Sequence, residues 1–225
     1  MKEYKLGNGL VLLYTKNKYV NTDSMKIYVN TGSLLEKDNE KGINHLVEHL
    51  MFKATQKRTT KQISEELESM GAQINAWTNY DAMCFYFNVL PEYFEQCTEI
   101  YADMLFDKNL NTAEFEKEKS VVCQEIDMYD DDEYEANISN WDKVYRGWDN
   151  IAGTKESVQN IKIQQVSHFM QRVFVPSNIV VSVCSKLSFR KVKQIVKKYF
   201  GELDNKGALD LEAEWNKKAR SYKKN

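Results

Sequence analysis

The chain is poor in proline and histidine and has no long apolar run. Its 225 residues include two prolines, Pro91 and Pro176, and three histidines. So little proline excludes a proline-rich linker, and no low-complexity tract or short repeat breaks the sequence. No stretch reaches the roughly 18 apolar residues of a membrane span, so no membrane partner is expected. The formal charge of -2 lacks the basic excess of a nucleic-acid surface, so no nucleic-acid partner is expected either. The N-terminus is a poor signal peptide. Its apolar stretch is short, Gly7 and Asn8 precede it, and no small-residue cleavage site follows, which points to a cytoplasmic protein.

Cysteine is also sparse. Cys84, Cys97, Cys123 and Cys184 lie far apart and form no CxxC pair, so neither a thiolate zinc site nor a redox motif is indicated. Reduced thiols of a cytosolic protein are the better reading. The sequon Asn137-Ile138-Ser139 means little without a secretion signal.

What is present is an ordinary globular balance, 42% hydrophobic and 28% charged, in a chain long enough to bury a substantial core. One domain is expected over residues 1–203. A polar tail over 204–225 reads as a linker or docking segment. Residues 10–14, 24–29, 73–78 and 82–90 read as strands; in the last, Met83, Phe85, Phe87 and Val89 alternate with Cys84, Tyr86 and Asn88. Residue 179 opens another strand. A helix is expected over 42–54. Another is capped by Thr59 or Thr60 with Gln62 and stopped by Gly71, burying Ile63, Leu67 and Met70. Pro91 opens a further helix, Asn111 with Glu114 opens one that runs to about residue 129, and others precede Pro176 and span 188–200. Strands and helices mix without strict βαβ alternation. The fold class expected is α+β, a layered domain with a largely antiparallel sheet packed against helices.

Two of the three histidines stand in His45-Leu46-Val47-Glu48-His49. A chance match is expected in only about 0.3% of chains with this many histidines and glutamates. Positions i and i+4 lie on one helix face, so both imidazoles can reach one ion. Glu48 points to the same side, placed to take a proton from a water there. Ile43, Leu46, Val47, Leu50 and Met51 form an apolar stripe, and His45, Glu48, His49 and Phe52 lie opposite it. That pattern fits a cleft wall; the alternative is a surface helix with two ordinary histidines.

A catalytic zinc takes three protein ligands and keeps one position open. Glu125 is the best candidate for the third. On the helix from Glu114, Glu118 and Glu125 are seven apart and share a face with Phe115, Val121, Val122 and Tyr129. Carboxylates in an apolar stripe need a cation; zinc with its histidines would supply one, and a lysine or arginine elsewhere is the alternative. His168 reads as structural or surface. The acidic run at 130–133 reads as a solvated helix end, with attraction of basic substrates as the alternative.

The chain resembles the pitrilysin/insulinase metallopeptidases, inverzincins with an HxxEH motif, and within them the bacterial relatives of the mitochondrial processing peptidase. The resemblance is carried by Gly32-Ser33, by the run from Gly42 through His45, Glu48 and His49 to Thr55, and by Arg58-Thr59. It extends through the run from Gly71 to Thr78, Glu118 and Glu125, the run from Gly153 to Ser157, and Pro176-Ser177-Asn178. It covers about residues 4–203. The family's distal glutamate lies about 75 residues beyond its second histidine, and Glu125 follows His49 by 76. The resemblance implies that His45, His49 and Glu125 bind Zn2+, that Glu48 is the general base and that Glu118 orients a histidine ligand. Asn75 and Ala76 would lie where an extended peptide substrate adds as a strand.

There are two departures. The family's HPLG-like loop is replaced by residues 146–152, Arg146-Gly147-Trp148-Asp149-Asn150-Ile151-Ala152. Family enzymes also enclose substrate between two homologous halves, and this sequence matches the first. The implied function is a zinc-dependent endopeptidase completed by a second homologous half on another chain, as a heterodimer or homodimer. The alternative is a noncatalytic or scaffold subunit.

Overall fold

The computed structural model describes residues 1–132, 136–138 and 141–205; of the polar tail expected over 204–225, residues 206–225 lie outside it, as do Glu133 of the acidic run and Ser139 of the sequon. Six strands form one sheet: β1 (Lys2–Lys5), β2 (Val11–Lys16), β3 (Asp23–Val29), β4 (Gln73–Thr78), β5 (Met83–Val89) and β6 (Ile179–Ser185), in the order β1-β2-β6-β3-β5-β4. The β2–β6 pair is parallel and every other pair is antiparallel, so the sheet is mixed but largely antiparallel. Strand β1 was not expected. Its residues Lys-Glu-Tyr-Lys are mostly exposed and carry no apolar alternation, so only pairing with β2 makes it a strand.

The sheet buries one face. Met25, Ile27 and Val29 of β3, Phe85 and Phe87 of β5, and Val181 and Val183 of β6 are all buried, while Lys26 between them is exposed. Phe87 meets Phe94 and Tyr101 of α3 (Phe94–Phe106) at ring-centroid distances of 5.8 and 4.9 Å. Tyr14 of β2 meets Phe189, the first residue of the helix Phe189–Phe200, at 5.4 Å. One helix-covered face and one wetter face is what an antiparallel sheet with period-2 patterning produces.

The helix expected over 42–54 is α1, Ile43–Met51. Ile43, Leu46, Val47, Leu50 and Met51 are all buried, as the stripe requires. Then comes α2 (Thr60–Ser69), capped by Thr59 in a capping box with Gln62 and buried through Ile63, Leu67 and Met70. After α3 runs α4 (Thr112–Asp131), capped by the Asn111 side chain. Two further helices, α5 (Lys155–Asn160) and α6 (Ile163–Val173), lead to β6, and α7 is Phe189–Phe200. Among the described residues, no helix is long and apolar enough to cross a membrane.

Both ends of α1 are held by side chains from elsewhere, one buried and one half-buried. Its N-cap, Gly42, has no side chain to cap with. Glu36 does this instead: Oε2 accepts from Gly42 N at 2.8 Å, and Oε1 accepts from Asn44 N and Asn44 Nδ2, each at 2.9 Å. Burial pushes the Glu36 carboxyl up to about 7, against the lowering effect of these donors. At the other end Lys108 Nζ donates to Met51 O and Lys53 O, each at 2.6 Å, and burial pulls its amine down to about 7. Acidic at the N-terminus and basic at the C-terminus, the two complement the helix dipole. Gly42 itself is required: its φ is +86°, and a Cβ there would lie 2.4 Å from Ala152 O.

Glu36→Gln is therefore expected to destabilise the protein by about 1–3 kcal/mol, because three N–H donors face the carboxyl and an amide NH2 cannot accept. Thermal unfolding checks it; an unchanged midpoint would show that the cap contributes nothing.

Candidate metal centre

The half-buried side of α1 faces a cleft of about 510 Å³, lined among others by His45, Glu48, Ala76, Thr78, Glu125 and Ala152. The i, i+4 spacing brings the two imidazoles side by side, with ring centroids 4.8 Å apart. Helix α4 crosses α1 and brings Glu125 to them. Glu125 Oε2 lies 3.2 Å from His49 Nε2 and 3.8 Å from His45 Nε2. One ligand atom from each residue falls within 4.8 Å of the other two. Among the described residues no other His/Cys/Asp/Glu group forms such a cluster.

The electrostatics suit a cation. Burial, with the neighbouring His49, pulls His45 down to about 4, so this imidazole is neutral, the form that ligates. Burial lowers His49 as well, but its hydrogen bond with Glu125 and the surrounding carboxylates outweigh that and raise it. The same hydrogen bond is the largest influence on Glu125 and holds its carboxyl down to about 2. Two neutral-capable imidazoles and an ionised carboxylate with an open side are the donor set of a catalytic zinc site.

The expected stripe on α4 needs correction. Phe115, Val122 and Ile126 are buried, but Val121 and Tyr129 are exposed. The buried stripe sits closer to Glu118 than to Glu125. Glu118 is buried at 5% exposure, whereas the Glu125 side chain is 28% exposed on the flank that opens to the cleft. Tyr129 OH donates to Glu125 Oε1 at 2.8 Å. Glu118 has the lysine partner that was the alternative reading: Lys53 Nζ lies 2.8 Å from Oε1. Its other oxygen, Oε2, is 3.6 Å from His49 Nδ1, so one carboxylate touches both groups. His45 Nδ1, by contrast, is buried with no hydrogen-bond partner among the described residues.

Glu48 lies on the same face as the histidines. Burial raises its carboxyl above the ordinary glutamate range, partly offset by a hydrogen bond from Thr78. Asn75 and Ala76 lie on β4, which among the described residues pairs only with β5 and leaves its other edge free; Asn75 is exposed and Ala76 half-buried. His168 is exposed on α6 and is not part of the cluster.

The loop at 146–152, different from the family pattern, walls the cleft. Tyr80 OH donates to Asp142 at 2.7 Å, and the rings of Tyr80 and Trp148 lie 4.6 Å apart. Asn150, Ile151 and Ala152 complete this wall. Neither Tyr80 nor Asp142 stood out in the sequence. Their separation of 62 positions hides the contact from any local pattern.

Comparison with known proteins agrees with this geometry. Residues 11–142 match the family described as insulinase (peptidase family M16), and residues 160–225 match the one described as the peptidase M16 inactive domain. An uncharacterized zinc protease, YmxG, of Bacillus subtilis is 31% identical over 215 residues, covering 92% of this chain and 51% of that protein. The mitochondrial-processing peptidase subunit beta of Neurospora crassa is 26% identical over 205 residues, covering 88% of this chain and 42% of the relative. The chain thus spans about half the length of the curated relatives it matches. The crystal structure of a protease from Helicobacter pylori superposes with a TM-score of 0.86 at 24% identity, covering 91% of this chain and 51% of that one, a likeness of fold. With the family match spanning more than half of its residues, this chain belongs to the insulinase family, peptidase family M16.

Proposed function

We propose that this chain is the catalytic half of a zinc-dependent endopeptidase that hydrolyses peptides held in extended form. The observation that carries the reading is the convergence of His45 Nε2, His49 Nε2 and Glu125 Oε2 beside Glu48, in a cleft bordered by a free strand edge. A noncatalytic scaffold has no need of four such groups at one point.

His45, His49 and Glu125 would hold the zinc. When bound, zinc lowers the pKa of a coordinated water to about 7 and polarises a carbonyl. Glu48 accepts the proton of the attacking water at its carboxylate and passes it to the leaving amine nitrogen. Glu118, anchored by Lys53, lies 3.6 Å from His49 Nδ1, where its charge favours a proton on Nδ1 and so leaves Nε2 to face the cleft as a ligand. The substrate backbone pairs with the free edge of β4 at Asn75 and Ala76, which requires an extended chain.

The cleft is open, and a second homologous half would close it over the substrate, on a partner chain as a heterodimer or homodimer, or on the same polypeptide. Support comes from the half-length match to relatives, one of them named a subunit. It comes also from the exposed apolar side chains of Met128, Trp141 and Val144, which neighbour cleft-lining residues along the chain.

The test is cleavage of quenched-fluorescent peptides by the purified protein in its native assembly. Removal of zinc by a chelator is expected to abolish cleavage, and stoichiometric zinc to restore it. Cleavage that survives complete metal removal would sink the reading.

A further inference from the structure

The general base is not held by its own helix. Thr78, the last residue of β4, donates its hydroxyl to Glu48 Oε2 at 2.5 Å. Among the described residues no other hydrogen bond reaches this carboxylate. A glutamate turns about χ1, χ2 and χ3, and a half-exposed one on a cleft wall samples several rotamers.

Thr78 itself is fixed. It ends the strand where the β4–β5 turn begins, and that turn is seated on a distant segment. Ser33 N donates to Asn79 O at 3.3 Å, and Leu34 N donates to Tyr80 O at 3.0 Å. The seat depends on Gly32, where a Cβ would come within 2.5 Å of Asn79 O and of the Tyr80 backbone. The end of β4 is thus pinned although its outer edge is free. Ala76 and Thr78, two apart on the strand, both turn to the cleft that Glu48 lines.

We propose that Thr78 is a positioning residue for Glu48, holding Oε2 so that Oε1 faces the attacking water. This rests on Glu48 being the general base. It has a structural consequence for substrate use: the strand that offers its edge to a peptide at Asn75 also fixes the base three residues later. Peptide alignment and base alignment then share one rigid frame, as near-attack geometry demands.

The test uses the zinc-loaded protein in its native assembly, with Thr78→Val, Thr78→Ser and Glu48→Gln compared to wild type. Thr78→Val keeps the shape and removes the donor. Its kcat is expected to fall about tenfold to a hundredfold, with KM within about twofold and zinc content unchanged. Thr78→Ser, which keeps the hydroxyl, is expected to recover most of the loss. A readout independent of turnover comes from crystal structures of zinc-loaded wild type and Thr78→Val, in which the Glu48 carboxylate should leave its wild-type position in the variant. An unmoved carboxylate, or a valine variant with wild-type kcat beside an inactive Glu48→Gln, overturns this inference alone. A fully active Glu48→Gln overturns the assignment of the base, and the inference with it.

Discussion

Replacing His49 with alanine is expected to weaken zinc binding by on the order of a thousandfold or more, since one of the three proposed protein ligands would be lost. His49 is also the hub of the cluster: its Nε2 faces Glu125 at 3.2 Å and its Nδ1 faces Glu118 at 3.6 Å. Without the ring, Glu118 loses its histidine but retains Lys53, and Glu125 is left with His45 at 3.8 Å. Glu118→Gln removes only the group behind the ligand, so a smaller loss of about tenfold to a hundredfold is expected. Metal analysis of the purified proteins, with competition titration against a chelator, measures both. Equal zinc content in wild type and His49→Ala would remove the site assignment.

Glu48→Gln should separate chemistry from metal binding. Glutamine keeps the size of the side chain, and its carbonyl oxygen can still accept from Thr78, so the fold and zinc content are expected to be unchanged. What is lost is the ability to take up a proton. The rate of peptide cleavage is expected to fall by about a hundredfold to ten-thousandfold, the range that general acid–base groups contribute. A variant with full zinc and full activity would show that Glu48 is not the base.

Much of the centre was legible along the chain because it is local. The spacing of His45 and His49 sets both rings on one side of α1, and the stripe from Ile43 to Met51 sets the other side into the core. Glu125 was legible by its distance from the motif and by the family resemblance, less so by its wheel. The α4 stripe was misjudged at Val121 and Tyr129, which are exposed. A long helix that packs against α1 over only part of its length buries fewer positions than its apolar residues suggest.

Helix faces, strand alternation, the Thr59 capping box and the i, i+4 pairing of the histidines follow from the sequence by itself, because each depends on backbone geometry that repeats within a few residues. The tertiary structure alone decided what surrounds them. Glu36 and Lys108 clamp the ends of α1, Lys53 completes Glu118, Tyr80 ties down the wall of the cleft, and Thr78 reaches Glu48. Each of these contacts except the first joins residues tens of positions apart through side chains with no periodic signature. They exist only once the sheet order places β4 beside α1 and the packing of α4 carries Glu118 and Glu125 to the same point.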